Sequence, residues 1–127
     1  MAENTTKTIV VIDDSPALAS LFELAIKDLE EVELEFFNQA SNAWEYLASN
    51  RPDLIFLNIK MPGRDGLATL KDLRKLPLHA DTPIVMISSK DYAQDKSVAS
   101  ELGAREFIAK PMPIQVIKDA INRHLNF

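Results

Sequence analysis

Polar side chains follow four short apolar runs of this chain, each at the point where the run ends. In chain order they are the pair Asp13 and Asp14, then Asn58, then the pair Ser88 and Ser89, then Lys110 with Pro111. Taken singly, an acidic pair before a helix is usually a cap, and a serine pair or a Lys-Pro step usually belongs to a turn. Together they predict a shared polar site, because the carboxyl ends of parallel strands meet at one edge of a sheet, where ligands bind.

The four apolar runs have the length and composition of buried strands. They cover residues 9–12, 54–57, 84–87 and 107–109. Continuous runs rich in branched residues are typical of strands that are buried on both faces of a parallel sheet. Residues 32–37 predict a fifth strand of another kind. Glu33 and Glu35 alternate there with apolar residues, which leaves one face in water and indicates a strand at the edge of the sheet.

Five helical segments separate the strands. Their predicted bounds are 16–29, 42–49, 67–76, 92–102 and 114–125. Ser15 followed by Pro16 is a helix start signal, a capping hydroxyl and then proline in the first turn. Gly103 is typical of a helix C-terminal cap. The regular alternation predicts an α/β fold, a doubly wound parallel sheet with right-handed crossovers and helices on both faces.

The composition excludes several classes of protein. A length of 127 residues fits one domain, so we expect a single domain over residues 1–127 with no output domain. The absence of cysteine excludes disulfides and thiolate metal sites. A net charge of −5 disfavours nucleic acid as a partner. There is no signal peptide pattern and no apolar stretch of the roughly 20 residues that span a bilayer, which predicts a cytoplasmic protein with no membrane partner.

Four stretches around the polar residues resemble the receiver domain of two-component response regulators. They are residues 11–15 (VIDDS), 53–66 (DLIFLNIKMPGRDG), 83–89 (PIVMISS) and 103–111 (GAREFIAKP). They occur in the right order at the right separations and cover nearly the whole chain. The resemblance implies a flavodoxin-like receiver fold, with five strands in the order 2-1-3-4-5 flanked by five helices. The edge-like second strand agrees with that order.

The resemblance also implies roles for individual residues. Asp13 and Asp14 correspond to the acidic pair that helps to bind Mg²⁺ in receivers. Ser88 corresponds to the switch hydroxyl, and Phe107 corresponds to the switch aromatic residue. Because no output domain is expected here, any output must pass through a protein surface, and the resemblance implies the fourth helix, fifth strand and fifth helix, where family members usually dock.

One position departs from the family pattern. Asn58 stands where receivers have the aspartate that attacks a phosphoryl donor. An amide is no practical nucleophile for that step, and it brings no negative charge to a metal ion. Mg²⁺ needs hard anionic oxygens, and only Asp13 and Asp14 remain to supply them, with Asn58 and the backbone of Lys60 beside them. We therefore expect Mg²⁺ to bind weakly or not at all, and we expect no other cofactor.

Three lysines accompany this site. Lys60 and Lys90 lie two positions after Asn58 and Ser88, where side chains flank the phosphorylation site in the family. Taken singly, Lys60 and Lys90 are more often simply solvated groups on exposed loops. Lys110 corresponds to the family's pocket lysine, so it is the ammonium that we expect beside the aspartates in place of a metal. Its peptide bond to the following proline is expected to be cis, although only about 5–6% of such bonds in folded proteins are.

The leading functional hypothesis is a receiver-like signalling module without enzymatic activity. It would bind a histidine kinase or a downstream effector and would not be phosphorylated at Asn58. The alternative is an ordinary phospho-accepting single-domain response regulator whose acceptor aspartate has been replaced by Asn58. A third class, a nucleotide or flavin enzyme, needs a glycine-rich turn after the first strand. Residues 13–16 (DDSP) are acidic and stiff there, which disfavours that class.

Overall fold

Strands and helices alternate along residues 6–61, 64–89 and 93–125, which are the residues that a computed structural model of the chain describes. The strands are β1 (Lys7–Ile12), β2 (Val32–Phe37), β3 (Leu54–Asn58), β4 (Lys60–Met61), β5 (Arg64–Asp65), β6 (Ile84–Ser88) and β7 (Glu106–Ala109). The helices are α1 (Pro16–Ile26), α2 (Ala40–Leu47), α3 (Gly66–Lys75), α4 (Ala93–Glu101) and α5 (Ile114–Leu125), with a short 3₁₀ turn at Pro77–His79. None of the helices in the described residues is long and apolar enough to cross a bilayer.

Five of the strands form one parallel sheet in the order β2-β1-β3-β6-β7. Counted among themselves, these five strands have the order 2-1-3-4-5, which confirms the predicted fold class and the edge position of β2. The short strands β4 and β5 lie outside this sheet and pair antiparallel with each other. The sequence did not predict this hairpin, because two-residue strands carry no periodic pattern.

The sheet separates two apolar cores. On one face α1 and α5 pack together, with Phe22 of α1 edge-on against Phe56 of β3 at a centroid distance of 4.8 Å. On the other face α2, α3 and α4 cover the sheet through Leu47, Leu70 and Ala99 among others. The apolar runs of the inner strands, residues 9–12, 54–57 and 84–87, are fully buried, as their composition predicts. Each large apolar side chain buried in this way contributes about 1.5–3 kcal/mol, so the helices are stabilised mainly by contact with the sheet.

The last strand and several helix ends differ from the sequence prediction. All four residues of β7 are half-buried, because β7 is the second edge of the sheet and has only β6 as a neighbour. The first helix ends at Ile26, three residues before the predicted end at residue 29. Its start is as predicted: the N–H of Leu18 donates to Oγ of Ser15 at 3.3 Å, with Pro16 as the first helical residue. Gly103 has a φ of 97°, as its predicted capping role requires.

Gly66 is packed against the backbone of β3 at the candidate site. Its N–H donates to the carbonyl of Ile59 at 2.6 Å. A Cβ at Gly66 would collide with the carbonyl oxygen of Asn58 and would lie 2.8 Å from the Cα of Ile59. Both contacts are with backbone, which cannot rotate away as a side chain can. The absence of a side chain at Gly66 therefore lets α3 begin directly beside the end of β3.

Gly66→Ala should destabilise the protein by about 1–3 kcal/mol, because the added methyl group must push the start of α3 away from β3. Urea unfolding measures the change. Ala68→Ser, at an exposed position on the same helix, is the matched control and should change the unfolding free energy by no more than about 0.5 kcal/mol. Equal effects of the two substitutions would contradict the close packing described for Gly66.

Candidate functional site

Asp13 lies just beyond the carboxyl end of β1 and is completely buried. Its backbone N–H donates to the carbonyl of Phe37 at 3.0 Å, which continues the pairing of β1 with β2 by one residue. Its Oδ1 accepts a hydrogen bond of 2.8 Å from the N–H of Ser15. The same short turn thus caps α1 through Ser15 and fixes the Asp13 carboxylate toward the interior of the site.

The second oxygen of that carboxylate meets Lys110. The Nζ of Lys110 lies 2.6 Å from Oδ2 of Asp13, and the lysine side chain is 20% exposed. At 2.6 Å the ammonium and the carboxylate attract each other strongly, and the ion pair compensates the buried charge.

The position of Lys110 is set by the backbone on both sides. Its N–H donates to the carbonyl of Ser88 at 2.6 Å, which extends the pairing of β6 with β7 to the end of the sheet. The bond between Lys110 and Pro111 is cis, which confirms the prediction made from the family resemblance. The third and fourth polar stretches of the chain, at Ser88 and at Lys110, therefore meet beside the carboxyl end of β1.

Asn58 is the last residue of β3 and is only 5% exposed. Its Nδ2 donates to the backbone carbonyl of Lys60 at 2.7 Å. Since a carbonyl oxygen can only accept, the NH₂ group is the half of the amide that must face it. The side chain at position 58 thus bonds to the base of the β4–β5 hairpin.

The remaining predicted residues occupy varied positions. Ser88 ends β6 and is 4% exposed, and Phe107 is half-buried against the core on the side of α2, α3 and α4. Asp14 and the side chain of Lys60 are exposed. Lys90 lies outside the described residues. The structure therefore brings Asp13 and Lys110 into direct contact and leaves Lys60 at the surface.

The oxygens expected to hold Mg²⁺ do not fit a metal ion in this arrangement. Oδ2 of Asp13 faces an ammonium group, and the carbonyl of Lys60 accepts from the Asn58 amide. The Asn58 side chain is a neutral amide, and its NH₂ group is directed at that carbonyl, whereas Mg²⁺ prefers carboxylate oxygens. Within residues 6–61, 64–89 and 93–125, no three acidic or histidine side chains are grouped closely enough to hold a metal ion.

Neither histidine lies at this site, and each has a partner that the sequence did not predict. His79 is fully buried at the opposite end of the sheet, where Nε2 lies 2.6 Å from the carbonyl of Leu47 and Nδ1 lies 3.1 Å from Oγ1 of Thr82. Nε2 carries a proton in this contact, because the carbonyl of Leu47 can only accept. His79 is therefore a structural residue that links α2 to the start of β6.

A charged cluster ties β7 to α5. Nε2 of His124 lies 2.7 Å from Oε1 of Glu106, and an Nη of Arg123 lies 2.6 Å from Oε2. Burial by itself would raise the pKa of Glu106, but hydrogen bonds from His124 and Arg123 and their positive charges lower it overall. The sequence offered one sign of this cluster, the basic pair in the last turn of a predicted helix. The acidic partner, 17 residues earlier, is visible only in the fold.

Comparison with known proteins agrees with this architecture. The sequence model of one family, the response regulator receiver domain, matches residues 9–122. Three solved structures illustrate the similarity. The phosphorylated cyanobacterial phytochrome response regulator RcpA is 23% identical, with 95% of each chain covered and a TM-score of 0.89. The Mn²⁺-bound response regulator Rcp1 is 23% identical, with 91% of this chain and 92% of that chain covered and a TM-score of 0.82. The chemotaxis protein CheY4 of Vibrio cholerae is 21% identical, with 94% and 99% covered and a TM-score of 0.86.

The lowered pKa of Glu106 predicts how its contribution to stability depends on pH. A carboxyl group whose folded pKa is below the unfolded value, about 4.3, stabilises the fold above that value, and the contribution is lost as the pH falls through the folded pKa. Glu106→Gln should therefore cost up to about 1 kcal/mol near neutral pH, since the cluster is partly exposed, and almost nothing well below pH 4. Urea unfolding at both pH values measures this. Glu101→Gln, at an exposed position on α4, is the control and should show no such pH dependence. If Glu106→Gln lowered the unfolding free energy by the same amount at both pH values, the prediction would be contradicted.

Proposed function

Because the chain belongs to the response regulator receiver domain family, we propose that it is a receiver-like signalling module that acts by binding proteins and does not form an acyl phosphate. A receiver is a signal-transduction domain, and this chain has the receiver fold over nearly its whole length. The proposal adds that the chemical step of the family is missing here. The observation that carries it is the amide at position 58.

The argument against phosphorylation is one of nucleophilicity. In an ordinary receiver a carboxylate oxygen attacks phosphorus, the bond to the leaving group breaks, and an acyl phosphate results. The amide of Asn58 has no anionic oxygen, and its nitrogen lone pair is delocalised into the carbonyl. Its NH₂ group is also engaged with the carbonyl of Lys60 at 2.7 Å. The relative RcpA was solved in its phosphorylated form, so the departure at Asn58 sets this chain apart from that protein.

The surface that we propose for partner binding is formed by α4, β7 and α5. It combines exposed charges, such as Lys96, Arg105 and Asp119, with the half-buried Phe107. The cluster of Glu106 with residues of α5 holds β7 and α5 in one arrangement. A rigid, charged edge of this kind suits a protein partner, namely a histidine kinase or a downstream effector. The mixture of both signs of charge does not favour nucleic acid.

A second candidate is an ordinary phospho-accepting regulator whose acceptor has been replaced by Asn58. It is favoured by one observation: Asp13, Ser88 and Lys110 all lie at the carboxyl edge of the sheet next to Asn58. Neutralising Asp13 accounts for Lys110, but it does not account for the hydroxyl of Ser88 at the same edge. Restoring the carboxylate separates the two candidates.

We expect no phosphoryl group on the protein after incubation with acetyl phosphate and MgCl₂, because the nucleophile is missing. Intact-mass measurement tests this expectation. An added phosphoryl group that is released by base would contradict the proposal. The matched variant is Asn58→Asp. A phosphorylated Asn58→Asp protein would support the second candidate, and an unmodified one would favour a site adapted to protein binding alone.

We also propose that Mg²⁺ binds weakly or not at all and that the ammonium of Lys110 neutralises Asp13 in its place. The support is the 2.6 Å contact between Nζ and Oδ2 at a carboxylate that is completely buried. A buried carboxylate needs a compensating cation, whichever cation it is. The relative Rcp1 was solved with Mn²⁺, so a divalent cation is a real alternative within this family. The lysine is the cation already present in this chain.

Lys110→Met should lower the unfolding free energy by about 3 kcal/mol, because it leaves a buried charge without its partner. Urea unfolding measures the loss. Removing both charges with Asp13→Asn in the same protein should recover a large part of it, and Lys60→Met, which removes an exposed lysine, is the control with little effect. A loss of stability for Lys110→Met no larger than that for Lys60→Met would show that the ion pair has no energetic importance.

Mg²⁺ binding is measured separately by titration calorimetry, and no sub-millimolar binding is expected. Sub-millimolar binding that Asp14→Ala abolishes would show instead that the metal site survives.

A further inference from the structure

The hydrogen bond between Asn58 and Lys60 joins two groups that the family resemblance assigns to the metal site. Nδ2 of Asn58 lies 2.7 Å from the carbonyl oxygen of Lys60. Asn58 ends β3, and Lys60 opens the β4–β5 hairpin. A carbonyl oxygen directed at a nearly buried side chain can be satisfied there by a hydrogen-bond donor or by a cation.

We infer that the amide of Asn58 takes the place of a divalent cation at the carbonyl of Lys60, so that the connection from β3 to α3 is held by the protein itself and needs no metal. This inference rests on the proposed function, in which position 58 is the site of the missing acceptor carboxylate. The inference concerns what holds the connection from β3 to α3, whereas the proposed function concerns whether a phosphoryl group is accepted. One can therefore be wrong while the other is right.

The backbone around this bond explains why one amide is enough to hold the connection. Lys60 pairs with Asp65 across the hairpin, and the carboxylate of Asp65 accepts from the N–H of Leu67 at 2.8 Å to cap α3. The N–H of Gly66 bonds to the carbonyl of Ile59 at 2.6 Å. The hairpin and the start of α3 thus form one hydrogen-bonded unit, and the Asn58 amide ties that unit to the end of β3.

A carboxylate at position 58 would turn the favourable contact with the Lys60 carbonyl into a repulsive one. It has the same shape as the amide but offers only acceptors, so it would face the carbonyl of Lys60 without a hydrogen atom between them. It would also add a negative charge near the buried carboxylate of Asp13, for which Lys110 is the only close cation in the described residues. A divalent cation would relieve both repulsions at once. The amide removes both repulsions without a metal.

The test compares thermal unfolding in millimolar MgCl₂ with unfolding in NaCl of equal ionic strength and EDTA. The protein as it stands should melt at the same temperature in both. Asn58→Asp should melt lower without Mg²⁺ and should rise by several degrees when Mg²⁺ is added, since a cation that binds only the folded state stabilises it. Asn58→Leu, which has a similar volume and no donor, should melt lower in both conditions with no rescue by Mg²⁺.

Hydrogen exchange at the Gly66 amide gives a local readout of the same bond. Its protection should be equal with and without Mg²⁺ in the unchanged protein, lower in Asn58→Leu, and restored by Mg²⁺ only in Asn58→Asp. A Mg²⁺-dependent rise in melting temperature for the unchanged protein would overturn the inference. So would Asn58→Leu with unchanged stability and unchanged Gly66 protection. An acyl phosphate on the unchanged protein would contradict the proposed function. It would not change the conclusion drawn from the Mg²⁺ experiments, which is tested independently.

Discussion

The burial of the Asp13 carboxylate is the constraint on which the arrangement of this site depends. A negative charge with no exposed surface must be matched by a nearby positive charge, and Lys110 supplies it at 2.6 Å. Lys110 reaches that place because β7 is in register with β6 and the N–H of Lys110 itself, just after β7, donates to the carbonyl of Ser88. The ion pair therefore joins the first and last strands of the fold at the one edge where both end, across the strands β3 and β6 that lie between them.

In the proposed function, Asn58 changes what the site can do without changing the fold around it. The sheet order, the Gly66 contact with β3 and the capped start of α3 are all present beside an amide. The amide exchanges an anionic oxygen for a donor, and the donor is used on the nearest carbonyl. A change of one atom in the side chain thus removes the nucleophile and supplies an internal hydrogen bond. Both consequences favour a module whose conformation is set by its own contacts and by its protein partners.

The two edges of the sheet are stabilised in different ways, which bears on where partners can bind. The outer residues of β2 are the exposed Glu33 and Glu35, charges of the kind that keep an edge strand from pairing with another chain. The other edge strand, β7, is held to α5 through Glu106, with Arg123 and His124 on one carboxylate. The second edge therefore presents a fixed, mixed-charge surface, which suits specific recognition better than a row of like charges.

The sequence alone determined the fold class, the buried strands, the edge position of β2 and the residues at the carboxyl ends of the strands. Each of these follows from local patterns: apolar runs, alternation at Glu33 and Glu35, and the start signal at Ser15. Only the tertiary structure decided which polar groups touch. It paired Lys110 with Asp13, turned the Asn58 amide to the carbonyl of Lys60, and left the side chain of Lys60 exposed. Such contacts depend on strand register and loop path over tens of residues, and no local pattern of residues encodes those distances.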